Sequence, residues 1–461
     1  MEAQVFSRDG YVLRARYPQR AAACCLGFPL LAVVALIAAG CAAPPGPKPT
    51  PSPTTAAIVS TPLAVRATAA FATPTIAGPT LPLTLALWLP PDMAISAQSP
   101  GQVIYQMNAA FGATNPHVWI ETIPKAAYGF GGMANMLLTT QAVVPARMPD
   151  IAVLDVAEVY KLVGEDILRP LDDLFPQGLW DDLFPFALAS VTVNGKRMAM
   201  PFQADISFLV YNDESVQNPP RTWDELLRAK SRYVFPAADG DGSAADTFVL
   251  QYLAQGGGDL SQRTDRPFLD TTIAAQVLRQ YRAAVESGAV PDRVRNLRTL
   301  DDCWAAFLTG EADMANTSSW HYQRDRATLQ HTHYAQIPTA GGETLTLAHS
   351  WAWVIITKDP RRQEVAIRYI VSALRPESLS AWSAASSHLP VHRSVLSRTI
   401  GDEAYGSFLA DQLQHARSYP SLRGYSEVQA ALVRAIEDVL DGVTTPERAA
   451  VSAAAMVARL R

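Results

Sequence analysis

Cysteine is scarce in this 461-residue chain, and its scarcity excludes a fold held together by disulfides. Four cysteines occur, and three of them lie within residues 24–41, so Cys303 has no cysteine partner in the rest of the chain. We predict that Cys303 is a small buried residue beside Trp304. An excess of positive charge is also missing, because the formal net charge is −5. This balance argues against a nucleic-acid-binding surface, which needs a concentrated basic patch.

Signatures of catalysis and of cofactor or metal binding are missing as well. The chain has no GxSxG or HExxH motif, and the glycines at 256–258 are not followed by the lysine of a phosphate loop. His331 and His333 have no acidic or cysteine cluster close in sequence, so we predict a solvated loop there and no metal site. We expect no enzyme and no cofactor. Glycoside hydrolysis by a carboxylate pair such as Asp155 and Asp205 is the minor alternative.

The first 41 residues have the pattern of an export signal. Arginines within residues 1–20 precede an apolar stretch at 21–40 that ends in small side chains. Residues 37–41 resemble a bacterial lipobox, which implies lipid attachment at Cys41 and places the folded part in the cell envelope, outside the cytoplasm. An uncleaved membrane anchor is the alternative, because about 20 apolar residues can span a bilayer. Residues 42–80 are rich in Pro, Thr and Ala, which predicts a disordered tether.

From residue 81 the chain alternates strand and helix patterns. Apolar alternation predicts strands over 83–88, 118–121 and 148–154, with helices over 101–111 and 133–141 between them. This βαβαβ order predicts an α/β fold, in which helices cover a sheet. The length of the chain favours two lobes with large cores over one ordinary domain.

Residues 193–227 are the stretch around which the rest is organised. Asn194-Gly195 predicts a hairpin turn, residues 206–211 predict a buried strand, and Thr222 with Glu225 predicts a capping box at the start of a helix. The passage resembles the first crossing between the lobes of extracellular solute-binding proteins, family 1, which serve ABC importers. The residues that carry the resemblance are Gly195, Lys196, Pro201, Tyr211, Asn212, Pro219, Thr222, Trp223 and Glu225.

The resemblance extends over residues 81–461 and implies a periplasmic-binding-protein type II fold. Each of its two lobes is expected to be a mixed sheet flanked by helices, with lobe 1 at 81–204 and 338–375 and lobe 2 at 205–337 and 376–461. Hinge crossings join the lobes. The implied function is a monomeric, lipid-anchored receptor that captures a sugar or oligosaccharide and delivers it to ABC permease subunits with a separate ATPase. A surface sensor, an adhesion module or a receptor for a non-sugar solute is the alternative.

Sugar sites combine aromatic rings, which stack on C–H faces, with polar side chains that hydrogen-bond the hydroxyls. The resemblance favours Trp320 most and Trp351 next, and it places an acidic ligand contact at Asp205. Asp155 follows the third strand at its carboxyl end, where open α/β sheets bind ligands, although it can equally cap the next helix. Trp351 and Trp353 share one face of a strand, so we expect one to line the cleft and the other to pack. The full candidate set is Trp88, Asp155, Glu158, Phe202, Gln203, Asp205, Trp320, Trp351, Trp353 and His388.

Overall fold

The computed structural model describes residues 82–96, 100–129, 131–258, 260, 268–420 and 424–460. The predicted export signal, the predicted lipid attachment at Cys41 and the predicted tether all lie outside the described residues. Within the described part of the chain, no helix is both long enough and apolar enough to cross a membrane.

The described residues form strands and helices that alternate along the chain. The strands are β1 (Leu83–Leu89), β2 (Val118–Pro124), β3 (Ile151–Asp155), β4 (Thr192–Val193), β5 (Lys196–Arg197), β6 (Met200–Asn212), β7 (Tyr233–Val234), β8 (Met314–Ser318), β9 (Thr332–Ala335), β10 (Thr346–Ile355), β11 (Leu389–Pro390) and β12 (Ala416–Ser418).

The helices of the first half are α1 (Gly101–Thr114), α2 (Met133–Val143), α3 (Val156–Leu162), α4 (Gln177–Asp181), α5 (Pro185–Val191), α6 (Trp223–Arg228), α7 (Ser243–Ala254) and α8 (Thr271–Glu286). Those of the second half are α9 (Leu300–Leu308), α10 (Ser319–Asp325), α11 (Pro360–Ala373), α12 (Pro376–Ser386), α13 (Arg393–Thr399), α14 (Glu403–His415), α15 (Tyr425–Leu440) and α16 (Pro446–Val457).

One sheet carries the body, in the strand order β2-β1-β3-β10-β6-β8-β7. Strand β1 runs parallel to β2 and β3, which confirms the predicted βαβαβ unit. Strand β10 enters antiparallel between β3 and β6, although it lies far from both in sequence. The sheet is therefore mixed, as the predicted fold class requires.

Strand β6 belongs to both halves of this sheet. Its residues from Met200 to Ile206 pair with β10, whereas those from Ser207 to Tyr211 pair with β8. The sequence predicted a strand only from Ile206, because proline cannot donate a ladder hydrogen bond. Pro201 is accommodated opposite Ala352, where the register with β10 shifts. The predicted first crossing is therefore one continuous strand.

The local signals around this strand are confirmed. Asn194 and Gly195 have φ values of 51° and 73°, as a two-residue turn between β4 and β5 requires. The Thr222 hydroxyl accepts a hydrogen bond from the backbone N–H of Glu225, and the Glu225 carboxylate accepts one from the backbone N–H of Thr222. The strand is thus entered from a tight hairpin and followed by a capped helix.

Apolar cores pack against the sheet, and one of them runs from β1 to β7 and β8. Helices α7, α8, α15 and α16 share a core around β8. Leu379 and Trp382 of α12 instead share a core with Leu85 of β1 and Tyr369 of α11. Cys303 is fully buried in the same core as Trp304, as predicted.

Candidate functional site

Asp155 is the last residue of β3 and the N-cap of α3. Its Oδ1 accepts a hydrogen bond of 2.8 Å from the Ala157 N–H, which caps the helix. Its Oδ2 accepts one of 2.7 Å from the Tyr128 hydroxyl and lies 2.6 Å from Nε2 of His349. The side chain is buried, so one carboxylate both starts the helix and holds two polar groups at the end of the strand.

Asp155 and His349 form an ion pair. Burial opposes the charged form of both, but the imidazolium lowers the pKa of Asp155 and the carboxylate raises the pKa of His349 to about 9. The charges of Asp205 and Asp246 act on His349 in the same direction. At neutral pH the pair is therefore a carboxylate and an imidazolium.

Asp205 lies on β6 directly opposite His349 of β10. Its Oδ1 accepts hydrogen bonds from the Ser319 hydroxyl and, at 2.9 Å, from the Trp320 N–H. These donors belong to the first turn of α10, where a carboxylate is favourable. Asp205 therefore fixes the start of the helix that carries Trp320.

Trp320 bridges two elements of the site. Its indole Nε1 donates to the Ser386 carbonyl at 3.1 Å, and the Arg324 guanidinium lies 4.5 Å from the ring centroid. His388 lies two residues beyond Ser386, and its Nδ1 is 3.1 Å from the same carbonyl oxygen. Burial lowers the pKa of His388, while the Asp205 carboxylate acts in the opposite direction. These contacts bring Trp320, His388 and Asp205 together.

Trp351 extends the group toward Asp155, and Trp353 does not. The Trp351 ring centroid lies 6.1 Å from that of Tyr128 and 6.0 Å from that of His349. Trp353 is 2% exposed and packs against Phe202, with ring centroids 5.3 Å apart. Trp353 is therefore the packing member of the pair.

Of the remaining candidates, Phe202, Gln203 and Trp88 lie in the core, whereas Glu158 is a partly buried residue of α3 whose charge acts on Tyr128. Phe202 is buried against Trp353 and Trp382, and the buried Gln203 accepts a hydrogen bond from the Trp382 indole. Trp88 is buried beneath the ammonium of Lys125, which lies 4.8 Å from its ring centroid. Glu158 pairs with Lys161 in α3 at 2.6 Å. The structure thus gathers five of the ten candidates: Asp155, Asp205, Trp320, Trp351 and His388.

With this geometry in place, the chain can be compared with known proteins. Residues 106–404 match the family model described as bacterial extracellular solute-binding protein. The chain belongs to this family. As a solute-binding protein, it resembles the maltotriose-binding protein of Pyrococcus abyssi, with 27% identity over 133 residues. That alignment spans 28% of this chain and 29% of the relative, so the match covers less than a third of the relative's length.

Solved structures of sugar receptors share the architecture of this solute-binding protein. The cyclic α-maltosyl-1,6-maltose binding protein from Arthrobacter globiformis superposes with a TM-score of 0.68 at 20% identity, over 82% of this chain and 98% of that one. The maltotriose binding protein of Thermus thermophilus gives 0.59 at 15% identity, over 81% and 99%. The likeness confirms the predicted fold class, a two-lobed type II arrangement.

Sequence reasoning missed four side chains around this group: Tyr128, Asp246, His349 and Tyr419. Of these, His349 had a usable signal, because it lies two residues before Trp351 on the same strand face. The Tyr419 ring centroid lies 5.9 Å from that of His349. Asp246 accepts hydrogen bonds from Tyr425 and Gln429, and burial raises its pKa to about 7.

A cavity of about 770 Å³ adjoins the group at Tyr419. It lies between Phe186 of α5 and Gly257, just beyond the end of α7. A second cavity, of about 860 Å³, is lined by Arg221 just before α6 and by residues of α6 and α14, among them Phe408. We place the candidate site at the first cavity and the Asp155 group, because Tyr419 connects the two.

The sequence predicted a solvated loop for His331 and His333, but only His331 lies outside a strand. His333 lies in β9, opposite Tyr211 of β6, and this partner is too distant in sequence to be read from a local pattern. Asp213 joins the two imidazoles, at 3.1 Å from His331 and 3.0 Å from His333. Among the described residues, no group of three or more His, Cys, Asp or Glu side chains has an arrangement that could hold a metal ion.

Proposed function

We propose that this solute-binding protein captures an uncharged saccharide between its two lobes and delivers it to the permease of an ABC importer. The family assignment and the sugar-binding relatives support this reading. The observation that carries it is the Asp155–His349 ion pair, which lies beside the aromatic rings of Trp351 and Tyr128. Rings and polar groups in this combination match the faces and hydroxyls of a sugar.

The partners that the protein already supplies to the carboxylates of the site favour an uncharged ligand. Asp155 is paired with His349, Asp205 accepts hydrogen bonds from the first turn of α10, and Asp246 accepts hydrogen bonds from Tyr425 and Gln429. A polyamine needs carboxylates that the protein itself has left uncompensated, and a phosphate ester needs free cations. Hydroxyl groups of a saccharide can instead add donors and acceptors to carboxylates that already have partners, which are His349 for Asp155 and neutral donors for Asp205 and Asp246.

We propose that binding proceeds without turnover of the ligand. Glycoside hydrolysis by two carboxylates requires one of them to be protonated at working pH, and therefore a raised pKa. The pKa of Asp155 is instead lowered, and Asp205 is engaged in positioning α10. The pair that the sequence suggested as a catalytic alternative is thus better suited to binding.

Closure of the lobes is the proposed signal to the permease. We keep the proposed lobes at 81–204 with 338–375 and at 205–337 with 376–461. Ligand contacts from both lobes favour the closed state. We further propose that the protein is monomeric and is held at the outer face of the membrane through lipid on Cys41.

Ligand-dependent stability tests the proposal. The melting temperature is measured with maltose, maltotriose, spermidine and glycerol 3-phosphate, because a ligand at 100 times its Kd adds about 2.7 kcal/mol of stability. We expect a saccharide to stabilise the protein and the two charged compounds to leave it unchanged. Stabilisation by spermidine or glycerol 3-phosphate alone would show that the ligand class is wrong. X-ray scattering with the stabilising saccharide should show compaction, and an unchanged radius of gyration would contradict closure.

A further inference from the structure

Tyr128 presents an exposed aromatic ring at the centre of the candidate site. The residue is 50% exposed, whereas the neighbouring Trp351 is 8% exposed. Its hydroxyl, in contrast, is held at 2.7 Å by Oδ2 of Asp155 and lies 3.2 Å from Nε2 of His349. The ring is thus fixed at its polar end and open to solvent on its side.

The backbone that carries Tyr128 is built to hold it in place. The residue lies between β2 and α2, where the Met133 N–H donates to the Ala126 carbonyl at 2.8 Å and the Asn135 side chain donates to the Gly129 carbonyl at 2.8 Å. A Cβ atom on Gly132 would lie 2.6 Å from the Tyr128 carbonyl carbon, so a glycine is needed there. The turn therefore packs directly against the backbone of Tyr128.

The other aromatic rings of the site have less free surface to offer. Trp351 is buried, and one face of Trp320 lies against the Arg324 guanidinium. The Tyr128 and Trp351 rings are inclined at 52° to one another, with centroids 6.1 Å apart. Together they form a corner in which Tyr128 supplies the accessible face.

We propose that Tyr128 is a ligand-binding residue of this protein, whose ring stacks on the ligand while the Asp155–His349 pair holds its hydroxyl. This inference rests on the proposed function, because it assigns a contact within the same saccharide site. A ring that is already fixed loses little conformational freedom when the ligand binds, so the stacking contact is not offset by an ordering cost.

Isothermal titration with maltotriose tests the inference on the wild type and three variants. We expect Tyr128→Ala to weaken binding by about tenfold or more, because the stacking surface is lost. Tyr128→Phe keeps the ring and loses only the hydroxyl, so its affinity should stay within about threefold of the wild type. Tyr105→Ala is the matched control, since it removes a tyrosine that is 54% exposed on α1, away from the site.

Each outcome separates this inference from the proposed function. Wild-type affinity in Tyr128→Ala would overturn the stacking role and leave saccharide capture intact. An equal loss in Tyr128→Phe and Tyr128→Ala would show that the hydroxyl is the important group, and would also overturn stacking. A wild type that binds neither maltotriose nor any other saccharide would overturn the proposed function itself, and this inference with it.

A second measurement does not depend on the folding of Tyr128→Ala. In protein labelled with 3-fluorotyrosine, the ¹⁹F resonance of Tyr128 is assigned by its absence in Tyr128→Phe. We expect saturating maltotriose to shift this resonance and to leave the Tyr105 resonance unchanged. A Tyr128 resonance that is unchanged by a bound saccharide would contradict direct contact.

Discussion

Because of the Asp155–His349 pair, we expect the unfolding free energy of the protein to fall as the pH becomes alkaline. In the folded state, burial lowers the pKa of His349, but the Asp155 carboxylate raises it by more, so that the pKa rises from 6.5 to about 9. A raised pKa means that the folded protein holds this proton more tightly than the unfolded chain. The stabilisation is therefore complete below pH 6.5 and is lost as the pH rises through about 9.

The size of the effect follows from the same shift. The difference between 6.5 and about 9 sets a ceiling of ~3 kcal/mol. The His349 side chain is 34% exposed, so solvent screens part of the interaction. We therefore expect the wild type to lose about 1–2 kcal/mol of unfolding free energy between pH 6.5 and 9.5 from this pair.

Urea unfolding at closely spaced pH values measures this loss. His349→Gln has no imidazolium to lose, so the difference between wild type and variant should shrink as the pH rises. Titrations of groups that do not interact with His349 cancel in that difference. His415→Gln is the matched control, because it removes an exposed histidine of α14 and retains the Asp155 pair. Parallel profiles for wild type and His349→Gln would refute the ion pair.

Three further substitutions, one of them with a matched control, test the energetics of the fold. Arg362→Ala leaves the buried Asp150 carboxylate without its guanidinium and should cost about 3–5 kcal/mol in urea unfolding, whereas Arg368→Ala breaks an exposed pair and should cost less than about 1 kcal/mol. Burial raises the pKa of Asp246 to about 7, so the contribution of Asp246 to stability falls as the pH rises from 4 to 7; Asp246→Asn should lack this contribution and be more stable than the wild type by about 1–2 kcal/mol at pH 8. Thr222→Ala removes the capping box of α6 and should lower the unfolding free energy by about 1 kcal/mol; an unchanged value would show that the cap is redundant.

Local patterns were sufficient for the elements whose own residues carry a clear signal. Strands β1 to β3, the hairpin at Asn194 and the capping box at Thr222 depend on alternation, turn chemistry and a three-residue spacing. The first part of β6 and the strand around His333 depend instead on pairing with segments more than a hundred residues away. Such pairing leaves no periodic trace in the strand itself, so Pro201 and His333 were interpreted wrongly.

The residues of the candidate site also differ in whether a local pattern could identify them. Asp155 could be found from its place after a strand, and its two predicted roles were not exclusive, since one oxygen caps α3 while the other holds Tyr128. Tyr128 lies in irregular backbone, where no period indicates the direction of a side chain. Phe202 and Gln203 lie in β6 and Trp353 lies in β10, and both strands are buried on both faces at these positions. The sequence could therefore not distinguish side chains that pack in the core from those that line the site.

The central position of β10 determines when this protein can fold. The strand inserts between β3 and β6, yet its residues follow the whole segment that carries α6 to α10. The central strand of the sheet is therefore missing until the chain has been synthesised to residue 355. Pairing of β10 with β3 and β6 then closes loops of more than a hundred residues, which slows folding. The earlier strands of the sheet must therefore wait for a partner that is synthesised late.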